Sequence, residues 1–178
     1  MKLIKEVLNG VLVIKLTKFK DRRGYFTEVY NQEKFDKLVK KKVKLVQDNI
    51  SLSRSGTIRG LHYQTKPFEQ GKLVTVIKRK IFDVAVDIRK NSKSYGKYFS
   101  IILSEKNNKQ LWIPAGFAHG FMSLVDQTIV KYNTSKRYSP EHERALLWND
   151  KKINIKWPNL KTKIISKKDA KLISNKYD

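Results

Sequence analysis

The stretch KLVTVIKRKIFDVAVDIRK, residues 72–90, is the clearest secondary-structure pattern in the chain. Two runs rich in valine and isoleucine, 72–78 and 82–88, lie on either side of a basic turn at Arg79. Side chains branched at Cβ are favoured in β-strands, and two such runs on either side of a turn are typical of consecutive strands. We therefore predict two strands joined by a short turn.

Similar short segments recur along the whole chain and are separated by turn residues. The predicted strands are 11–16, 25–30, 46–52, 57–64, 72–78, 82–88, 98–103, 110–114, 120–124 and 128–134. Only two helices are predicted, one capped by Asn31 and continuing to Lys40, the other at 168–173. Many short strands predict an all-β fold, a sandwich or, as we expect, a jelly-roll (cupin-like) β-barrel. Barrels of this kind hold ligands in their mouths.

Length and composition indicate one folded domain. The chain has 178 residues, of which 40% are hydrophobic. A globule of about 150 residues buries roughly 70% of its unfolded surface, so a chain of this size forms a substantial core. No internal repeat, flexible linker or abrupt change of composition marks a boundary. We predict a single domain over residues 1–178.

The sequence contains no cysteine, which excludes disulfides, thiolate catalysis and Cys-based metal sites. Lys5 and Glu6 interrupt the apolar residues near the N-terminus, so no signal-peptide core is present there. No later stretch approaches the roughly 18 apolar residues of a membrane span. We predict a soluble, cytoplasmic protein without membrane contact.

The formal net charge of +23 raises the alternative of a nucleic-acid-binding protein, since clustered Lys and Arg displace counterions from a phosphate backbone. The basic residues are dispersed instead, and the densest run, 40–44, falls at the end of the first predicted helix. A solvated surface explains them better, and we predict no nucleic-acid partner. The excess charge would still steer an anionic substrate such as a nucleotide diphosphate towards its site.

Strand periodicity assigns polar side chains to faces, because successive residues of a strand point to opposite sides. Gln47 and Asn49 share one face of the third predicted strand, and Phe26 and Glu28 share one face of the second. Solvent exposure is the simplest interpretation of any one of these positions.

Residues of catalytic type recur on several other predicted strands. They are His62, Lys72, Asp83, Asp87 and Tyr132. Each alone would more often be structural or solvated. Their recurrence on separate strands favours a shared site, because a barrel brings distant strands to one mouth.

A metal site of the cupin kind is an alternative interpretation of the histidines. Imidazole is a common metal ligand, jelly rolls often hold such sites, and His62 and His119 are the candidate ligands. The sequence lacks the closely spaced His-x-His pair followed by a carboxylate that such sites use, and His142 lies in a loop between two glutamates. We therefore predict no catalytic metal.

An ordered series of motifs carries a resemblance to a known family. They are DRRGYFTE (21–28), QDN (47–49), RGLHYQ (59–64), QGKLV (70–74), FDVAVDIRK (82–90), LWIP (111–114), YSPE (138–141), WND (148–150), WP (157–158) and ISKKD (165–169). In this order and over residues 10–170, the sequence resembles the dTDP-4-dehydrorhamnose 3,5-epimerases. One short motif alone would be weak, whereas the ordered series is specific.

The resemblance implies a jelly-roll subunit that forms a homodimer and needs neither a metal nor an organic cofactor. It implies that His62 is the general base and that Asp169 orients it. Tyr132 would deliver a proton from the opposite face, and Lys72 would stabilise the enolate oxygen. It also implies a set of substrate-binding residues, among which Tyr138 would stack on the thymine: Arg23, Phe26, Glu28, Gln47, Asn49, Arg59, His119, Tyr138, Glu143 and Lys168.

The implied reaction converts dTDP-4-dehydro-6-deoxy-D-glucose into dTDP-4-dehydro-L-rhamnose. C3 and C5 both adjoin the C4 carbonyl, so loss of either proton yields an enolate whose charge falls on one oxygen. A base near neutral pH, a donor for that oxygen and an acid across the ring are required, and these are the roles of histidine, lysine and tyrosine.

Arg59 and His62 would point to opposite faces of a regular strand, yet the resemblance assigns both to the ligand. A bulge at Gly60 would re-aim the strand. Arg59 would otherwise reach the ligand from the rim or serve the neighbouring subunit. Asp83 is the second candidate for orienting His62.

Three alternatives for function stay open at this point. In the first, the chain inverts only one of the two carbons. In the second, it acts on another nucleotide-linked keto sugar. In the third, it is a basic jelly-roll module that binds nucleotides without catalysis. Product stereochemistry and exchange of sugar protons with solvent distinguish them.

Overall fold

The structure is a computed structural model that describes residues 1–170, and these form mostly β-sheet with two short helices. The helix predicted at 168–173 therefore lies partly outside the described residues. No helix within residues 1–170 has the length and hydropathy needed to cross a bilayer.

Fourteen strands are assigned within residues 1–170. They are β1 (Lys2–Val7), β2 (Val11–Lys15), β3 (Phe19–Asp21), β4 (Gly24–Phe26), β5 (Gln47–Ser53), β6 (Thr57–Gln64), β7 (Lys72–Lys78), β8 (Lys80–Asp87), β9 (Tyr98–Ser104), β10 (Lys109–Ile113), β11 (Phe117–Ser123), β12 (Thr128–Thr134), β13 (Glu143–Ala145) and β14 (Ile164–Ile165). The helices are α1 (Gln32–Val39) and α2 (Lys167–Ala170), and a 3-10 turn covers Pro140–His142.

Two sheets contain most of these strands. The first has the order β1-β2-β10-β7-β12-β5, and the second has the order β13-β6-β11-β8-β9. β14 joins β6 in parallel, all other pairs are antiparallel, and β3 and β4 form a separate hairpin. The all-β prediction is confirmed, and the bounds of β6, β7 and β12 agree with the sequence-based ones.

The main core lies where the two sheets contact each other. Val74 and Val130 from the first sheet pack with Ala85, Leu103 and Phe121 from the second, and all five are buried. Burial of branched and aromatic side chains on facing strands supplies the main free energy of folding. The two sheets therefore form one packed unit around this cluster.

β7 buries both of its faces, which explains its unbroken apolar run. Val74 and Val76 point between the sheets, whereas Leu73 packs on the opposite side against Phe35 of α1 and Trp112 of β10. α1 thus covers the outer face of the first sheet. A strand that is buried on both sides loses the alternation of polar and apolar residues.

α1 begins and ends as the sequence predicts. The side chain of Asn31 accepts a hydrogen bond from the backbone N–H of Lys34 at 3.1 Å, which is the usual N-cap arrangement. Lys40 adopts a left-handed conformation at the C-terminal end. Phe35 is fully buried and anchors the helix to the sheet.

The strand predicted at 25–30 is wrong beyond Phe26, where β4 ends. Glu28 therefore does not share a strand face with Phe26. Its carboxylate accepts hydrogen bonds from Lys34 Nζ at 2.8 Å and from Asn31 Nδ2 at 3.3 Å, next to the start of α1. A carboxylate is favourable near the positive end of a helix, so this segment leads into α1 and leaves the sheet.

β6 contains a bulge where it pairs with β11. His119 lies opposite His62 and Phe121 lies opposite Arg59, so three residue steps on β6 match two steps on β11. The extra residue re-aims the strand at Gly60, and Arg59 and His62 both face the space between the sheets. The bulge at Gly60 is therefore confirmed.

Gly60 makes this bulge possible. Its φ is +118°, a conformation that side chains with a Cβ rarely adopt. A Cβ at this position would lie 2.6 Å from the backbone of His119 and Gly120. Backbone atoms of a central strand cannot move aside without breaking the pairing.

We predict that Gly60→Ala lowers the free energy of unfolding by more than about 3 kcal/mol, because strain at positive φ and a backbone clash add together. Gly96→Ala is the matched control. Gly96 also has a positive φ, +75°, but an added Cβ meets nothing within 4 Å. Gly96→Ala should lower the free energy of unfolding by only about 1 kcal/mol. Urea denaturation measures both values, and equal losses would show that the contact with β11 is unimportant.

Candidate active site

A pocket of about 570 Å³, here called the main lobe, opens between the two sheets. Strands β6 and β11 of the second sheet and β7 and β12 of the first supply its walls, and β14 and α2 close one side. A second lobe of about 270 Å³ has part of its lining in common, so the two form one cleft. The shared residues are His62, Lys72, Tyr132, Tyr138 and Glu143.

His62 and Asp169 form a hydrogen-bonded pair in the wall of the main lobe, with 2.7 Å between Nε2 and Oδ1. Burial raises the pKa of the Asp169 carboxyl, but hydrogen bonds from His62, Ser166 and the backbone outweigh it and hold the pKa below its usual range. The ionised carboxylate of Asp169 accepts a hydrogen bond from the N–H at Nε2. Nδ1 of the neutral imidazole then keeps its lone pair, as a general base requires.

The segment that includes β14 and α2 brings Asp169 to this position. β14 lies alongside β6, with Ile164 next to Thr57, and the backbone N–H of Ile164 donates to the carbonyl of Gly56 at 2.9 Å. The hydroxyl of Ser166 accepts a hydrogen bond from the backbone N–H of Asp169 at 3.0 Å. The pairing of β14 with β6 therefore places Asp169 against a histidine 107 positions earlier in the chain.

Asp83 does not orient His62. Its Oδ1 lies 2.5 Å from Nε2 of His119, in a second histidine–carboxylate pair that is almost completely buried. His119 and His62 are opposite each other on β11 and β6. Of the two carboxylates that the sequence offers to His62, the structure pairs Asp169 with it.

The three histidines do not form a metal cluster in the structure. His62 and His119 each direct Nε2 to a separate carboxylate, and Nδ1 of His142 lies 2.8 Å from the hydroxyl of Ser139. Within residues 1–170, no group of three or more His, Cys, Asp or Glu side chains is arranged to hold a metal ion.

Lys72 and Tyr132 face the cleft from neighbouring strands. Thr134 lies opposite Lys72 and Tyr132 lies opposite Val74, so their side chains point to the same side of the first sheet. Lys72 Nζ donates to the backbone carbonyl of His62 at 3.1 Å. Burial lowers the pKa of Lys72 to about 8. Burial also raises the pKa of Tyr132, which keeps its phenol protonated at neutral pH.

Tyr138, Glu143 and Lys168 form a network at the rim of the cleft. The hydroxyl of Tyr138 donates to Glu143 Oε2 at 2.7 Å, and Lys168 makes an ion pair with the same oxygen. Burial raises the pKa of Glu143, but the hydrogen bonds from Lys168 and Tyr138 outweigh it, so its pKa is lowered. The hydrogen bond to this carboxylate in turn raises the pKa of Tyr138. The ring of Tyr138 is half exposed and available for stacking.

Gln47, Asn49 and Arg59 complete the polar lining. Gln47 and Asn49 lie in the second lobe, where the Gln47 amide donates to Asn49 Oδ1 at 2.9 Å. Arg59 lines the main lobe and donates to the hydroxyl of Ser53 and the carbonyl of Leu52, each at 3.1 Å. The guanidinium is therefore held at the edge of the cleft within its own subunit.

The hairpin of β3 and β4 does not reach the cleft. The Arg23 side chain is 85% exposed and pairs with Asp21 at 2.6 Å, and Phe26 is 69% exposed. Glu28 binds the start of α1, as described above. Three of the substrate-binding residues that the sequence suggests are therefore outside the cleft of the same chain.

Several residues around the cleft carry no prediction from the sequence. Gln64 and Gln70 line the second lobe, and Ser166 and Arg54 line the main lobe. Gln64 ends the RGLHYQ motif, and its position two residues after His62 is the signal that would have placed it on the same face.

The sequence profile of a family described as dTDP-4-dehydrorhamnose 3,5-epimerase matches residues 5–176. The chain belongs to this family. A dTDP-4-dehydrorhamnose 3,5-epimerase from Shigella flexneri is 48% identical over 169 residues, which cover 95% of this chain and 93% of that protein. The match to the epimerase family thus includes both sheets and all residues that line the cleft.

Two solved epimerase structures are similar to this chain. The Bacillus anthracis enzyme, with TDP and PPi bound, has a TM-score of 0.93 and 42% identity, covering 98% of this chain and 99% of that one. The Legionella pneumophila enzyme, in complex with dTDP-4-keto-L-rhamnose, has a TM-score of 0.92 and 38% identity, covering 95% and 89%. Both epimerases are therefore similar to this chain in fold and in sequence along nearly all of its length.

Lys72 should make this epimerase less stable than it would be with an apolar residue there. The pKa is 10.5 for a free side chain and about 8 in the folded protein. Below pH 8, Lys72 is protonated in both the folded and the unfolded state, so the full free-energy cost of burying its charge is present. Above pH 10.5, Lys72 is neutral in both states and this cost vanishes. The contribution of Lys72 to the stability of the natural protein should therefore rise between these values.

We predict that Lys72→Met is more stable than the natural protein by on the order of 2–3 kcal/mol at pH 7, and that the difference disappears by about pH 10.5. Urea denaturation at the two pH values measures this. Lys37→Met, on the exposed face of α1, should show no such pH-dependent gain. A gain at Lys72 that is equal at both pH values would mean that burial of the charge is not its cause.

Proposed function

We propose that this chain inverts C3 and C5 of dTDP-4-dehydro-6-deoxy-D-glucose to give dTDP-4-dehydro-L-rhamnose, in the biosynthesis of dTDP-L-rhamnose. One observation carries the proposal: the His62–Asp169 pair, Lys72 and Tyr132 all face one cleft. They supply a base, an oxyanion donor and an acid. Family membership and the bound product of the Legionella relative support the choice of sugar nucleotide.

The first step is removal of a carbon-bound proton next to the C4 carbonyl. Nδ1 of His62 takes the proton, and Asp169 holds the ring in the required tautomer and stabilises the imidazolium that forms. The electron pair moves onto O4 as an enolate. The ammonium of Lys72 donates to this oxygen in a site largely removed from water, where such a contact is strongest.

The second step returns a proton to the opposite face of the same carbon. The Tyr132 phenol donates it, which inverts the configuration and leaves a phenolate. Proton transfer from the imidazolium of His62 to this phenolate, through solvent, restores both groups. The same cycle acts once at C3 and once at C5, so no oxidant, metal or organic cofactor enters the reaction.

Binding of the nucleotide holds the sugar against these groups. Tyr138 stacks on the thymine, and Arg59 binds the diphosphate as a bidentate donor. The remaining proposed substrate contacts are Gln47, Asn49, His119, Glu143 and Lys168, all of which line the cleft. Binding energy from these parts of the substrate orients the reacting carbons.

The jelly-roll class is part of the proposal. Within each sheet, several neighbours are distant in the sequence, as in β2-β10-β7-β12 and β6-β11-β8. Such exchange of strands between two facing antiparallel sheets is typical of jelly rolls. The cleft then corresponds to the mouth of the barrel, where ligands bind in this class.

A homodimer explains the position of the β3–β4 hairpin. Arg23 and Phe26 are exposed on one subunit and do not line its cleft, so in this proposal they contact the substrate in the cleft of a partner. Exposed apolar residues on β5 offer a surface for that partner, since Ile50 is 72% exposed and Leu52 is 55% exposed. A two-fold dimer would bury both patches twice.

The substrate also supports the predicted cytoplasmic location, because a nucleotide sugar is a charged, diffusible metabolite. The net charge of +23 assists capture of its diphosphate from solution.

We predict that His62→Ala abolishes incorporation of deuterium from heavy water at both C3 and C5, because one imidazole removes both protons. Tyr132→Phe should still exchange protons but return them to the same face, since the ring persists while its acid is lost. The ratio of deuterium incorporation to epimerised product, followed by proton NMR, should therefore rise in Tyr132→Phe.

The same experiment decides between the alternatives. Exchange and inversion at only one carbon in the natural protein would establish a single-position epimerase. Complete absence of exchange, with dTDP still bound, would establish a non-catalytic nucleotide-binding module. Normal exchange in His62→Ala would remove this residue from the role of base.

We predict that two inactive variants restore activity when they form hybrid dimers. One variant is His62→Ala, and the other combines Arg23→Ala with Phe26→Ala. If the hairpin serves the partner's cleft, each hybrid has one intact site, so random mixing should yield about a quarter of the natural activity. The test is turnover after the two proteins are unfolded and refolded together. No recovery would mean that the hairpin acts on its own subunit, and a hairpin variant that is active before mixing would mean that the hairpin has no role.

A further inference from the structure

The loop at 135–139 carries Tyr138 and is held by glutamine side chains from outside the loop. Gln70 donates to the carbonyl of Lys136 at 2.9 Å. Gln47 accepts a hydrogen bond from the backbone N–H of Tyr138, also at 2.9 Å. The position of the Tyr138 ring therefore depends on contacts to the loop backbone as well as on its hydroxyl.

Gln64 makes the most complete set of these contacts. It is only 6% exposed, and its Oε1 accepts a hydrogen bond from the backbone N–H of Ser139 at 2.7 Å. Its amide donates to the carbonyl of Phe68 at 2.6 Å and to that of Arg137 at 3.2 Å. The side chain thus binds the loop immediately before and immediately after Tyr138, and both ends of the amide are used.

Gln64 also belongs to the strand that carries the base. It follows His62 by two residues on β6, so both side chains lie on the cleft side of that strand. Its backbone partner on β13 is Glu143, the residue that accepts the Tyr138 hydroxyl. The amide, the base and the carboxylate are therefore fixed to one another by a short, paired piece of sheet.

We propose that Gln64 is a positioning residue for substrate binding. By clamping the backbone on both sides of Tyr138, its amide fixes the nucleobase-stacking ring at the distance from His62 that a dTDP-linked hexose spans. This inference rests on the proposed function, because the span in question is that of the sugar nucleotide. Gln64 itself acts through Tyr138 and takes no part in proton transfer.

The first test is a double-mutant cycle between Gln64→Leu and Tyr138→Ala. Gln64→Leu should raise KM, and the Kd for dTDP, by at least about tenfold while kcat changes by less than about threefold. In the Tyr138→Ala background, the same change at Gln64 should have almost no further effect on Kd, because the group that it positions is gone. Additive effects of the two changes would overturn the inference.

The second test uses Gln64→Glu and the pH. As a carboxylate, the new side chain would face the carbonyl oxygens of Phe68 and Arg137 with no proton to donate. As a neutral acid it donates one hydrogen bond and still accepts from Ser139. Because burial raises the pKa of a carboxyl, the variant should bind dTDP poorly at pH 8.5 and approach the natural affinity at about pH 6. Affinities are compared with those of the natural protein and Gln64→Leu at each pH.

A pH-independent defect in Gln64→Glu, or unchanged dTDP affinity in Gln64→Leu, would each contradict the inference. Thr128→Val is the matched control, because its hydroxyl is also buried and donates to a backbone carbonyl, that of Val125, at 2.7 Å. It should lower the Tm without altering the Kd for dTDP. If it weakens dTDP binding as much as Gln64→Leu does, the effect is general instability and the inference is wrong.

Different results would contradict the proposed function and the positioning role of Gln64. If the natural protein does not exchange the sugar protons, the proposed function is wrong. If it turns over normally and the variants at Gln64 retain the natural KM, only the positioning role is wrong.

Discussion

The close approach of β6 and β11 is the constraint on which the cleft depends. A Cβ on Gly60 would lie 2.6 Å from Gly120, and a Cβ on Gly120 would lie 2.7 Å from the carbonyl of Arg59, so both strands require glycine there. The contact accommodates one extra residue in β6. That residue lets Arg59 and His62 face the same space while Leu61 stays in the core. A regular strand would have directed one of them away from the cleft.

The same space holds polar groups that reduce the stability of the fold. The ammonium of Lys72 is buried enough for its pKa to fall to about 8. The buried Oδ2 of Asp83, whose other oxygen contacts His119 of the cleft wall, has no hydrogen-bond partner within residues 1–170. Groups of this kind are costly in a protein interior. They are useful in a cleft where charge develops on a substrate oxygen, because donors and charges already in place need no rearrangement. Reactivity and stability are therefore opposed in and around the cleft.

The residues proposed for substrate recognition and those proposed for proton transfer lie on different kinds of structure. His62 and Tyr132 project from central strands, which hold these side chains rigidly. Tyr138 projects from a loop and depends on side-chain amides for its position. The β3–β4 hairpin of a partner subunit is the third structural element of the proposed site.

The sequence by itself determined the local features: β6, β7, β12 and the capped helix α1, and through its ordered motifs the family and the candidate residues. These signals depend on neighbouring residues, namely alternation, β-branched runs and a cap. The family resemblance already named Asp169 as the partner of His62, but tertiary structure decided how the two meet, because the pairing of β14 with β6 joins positions 107 residues apart. It also decided that the segment after Phe26 leaves the sheet. Strand order and register follow from burial of whole sheets, which no local pattern records.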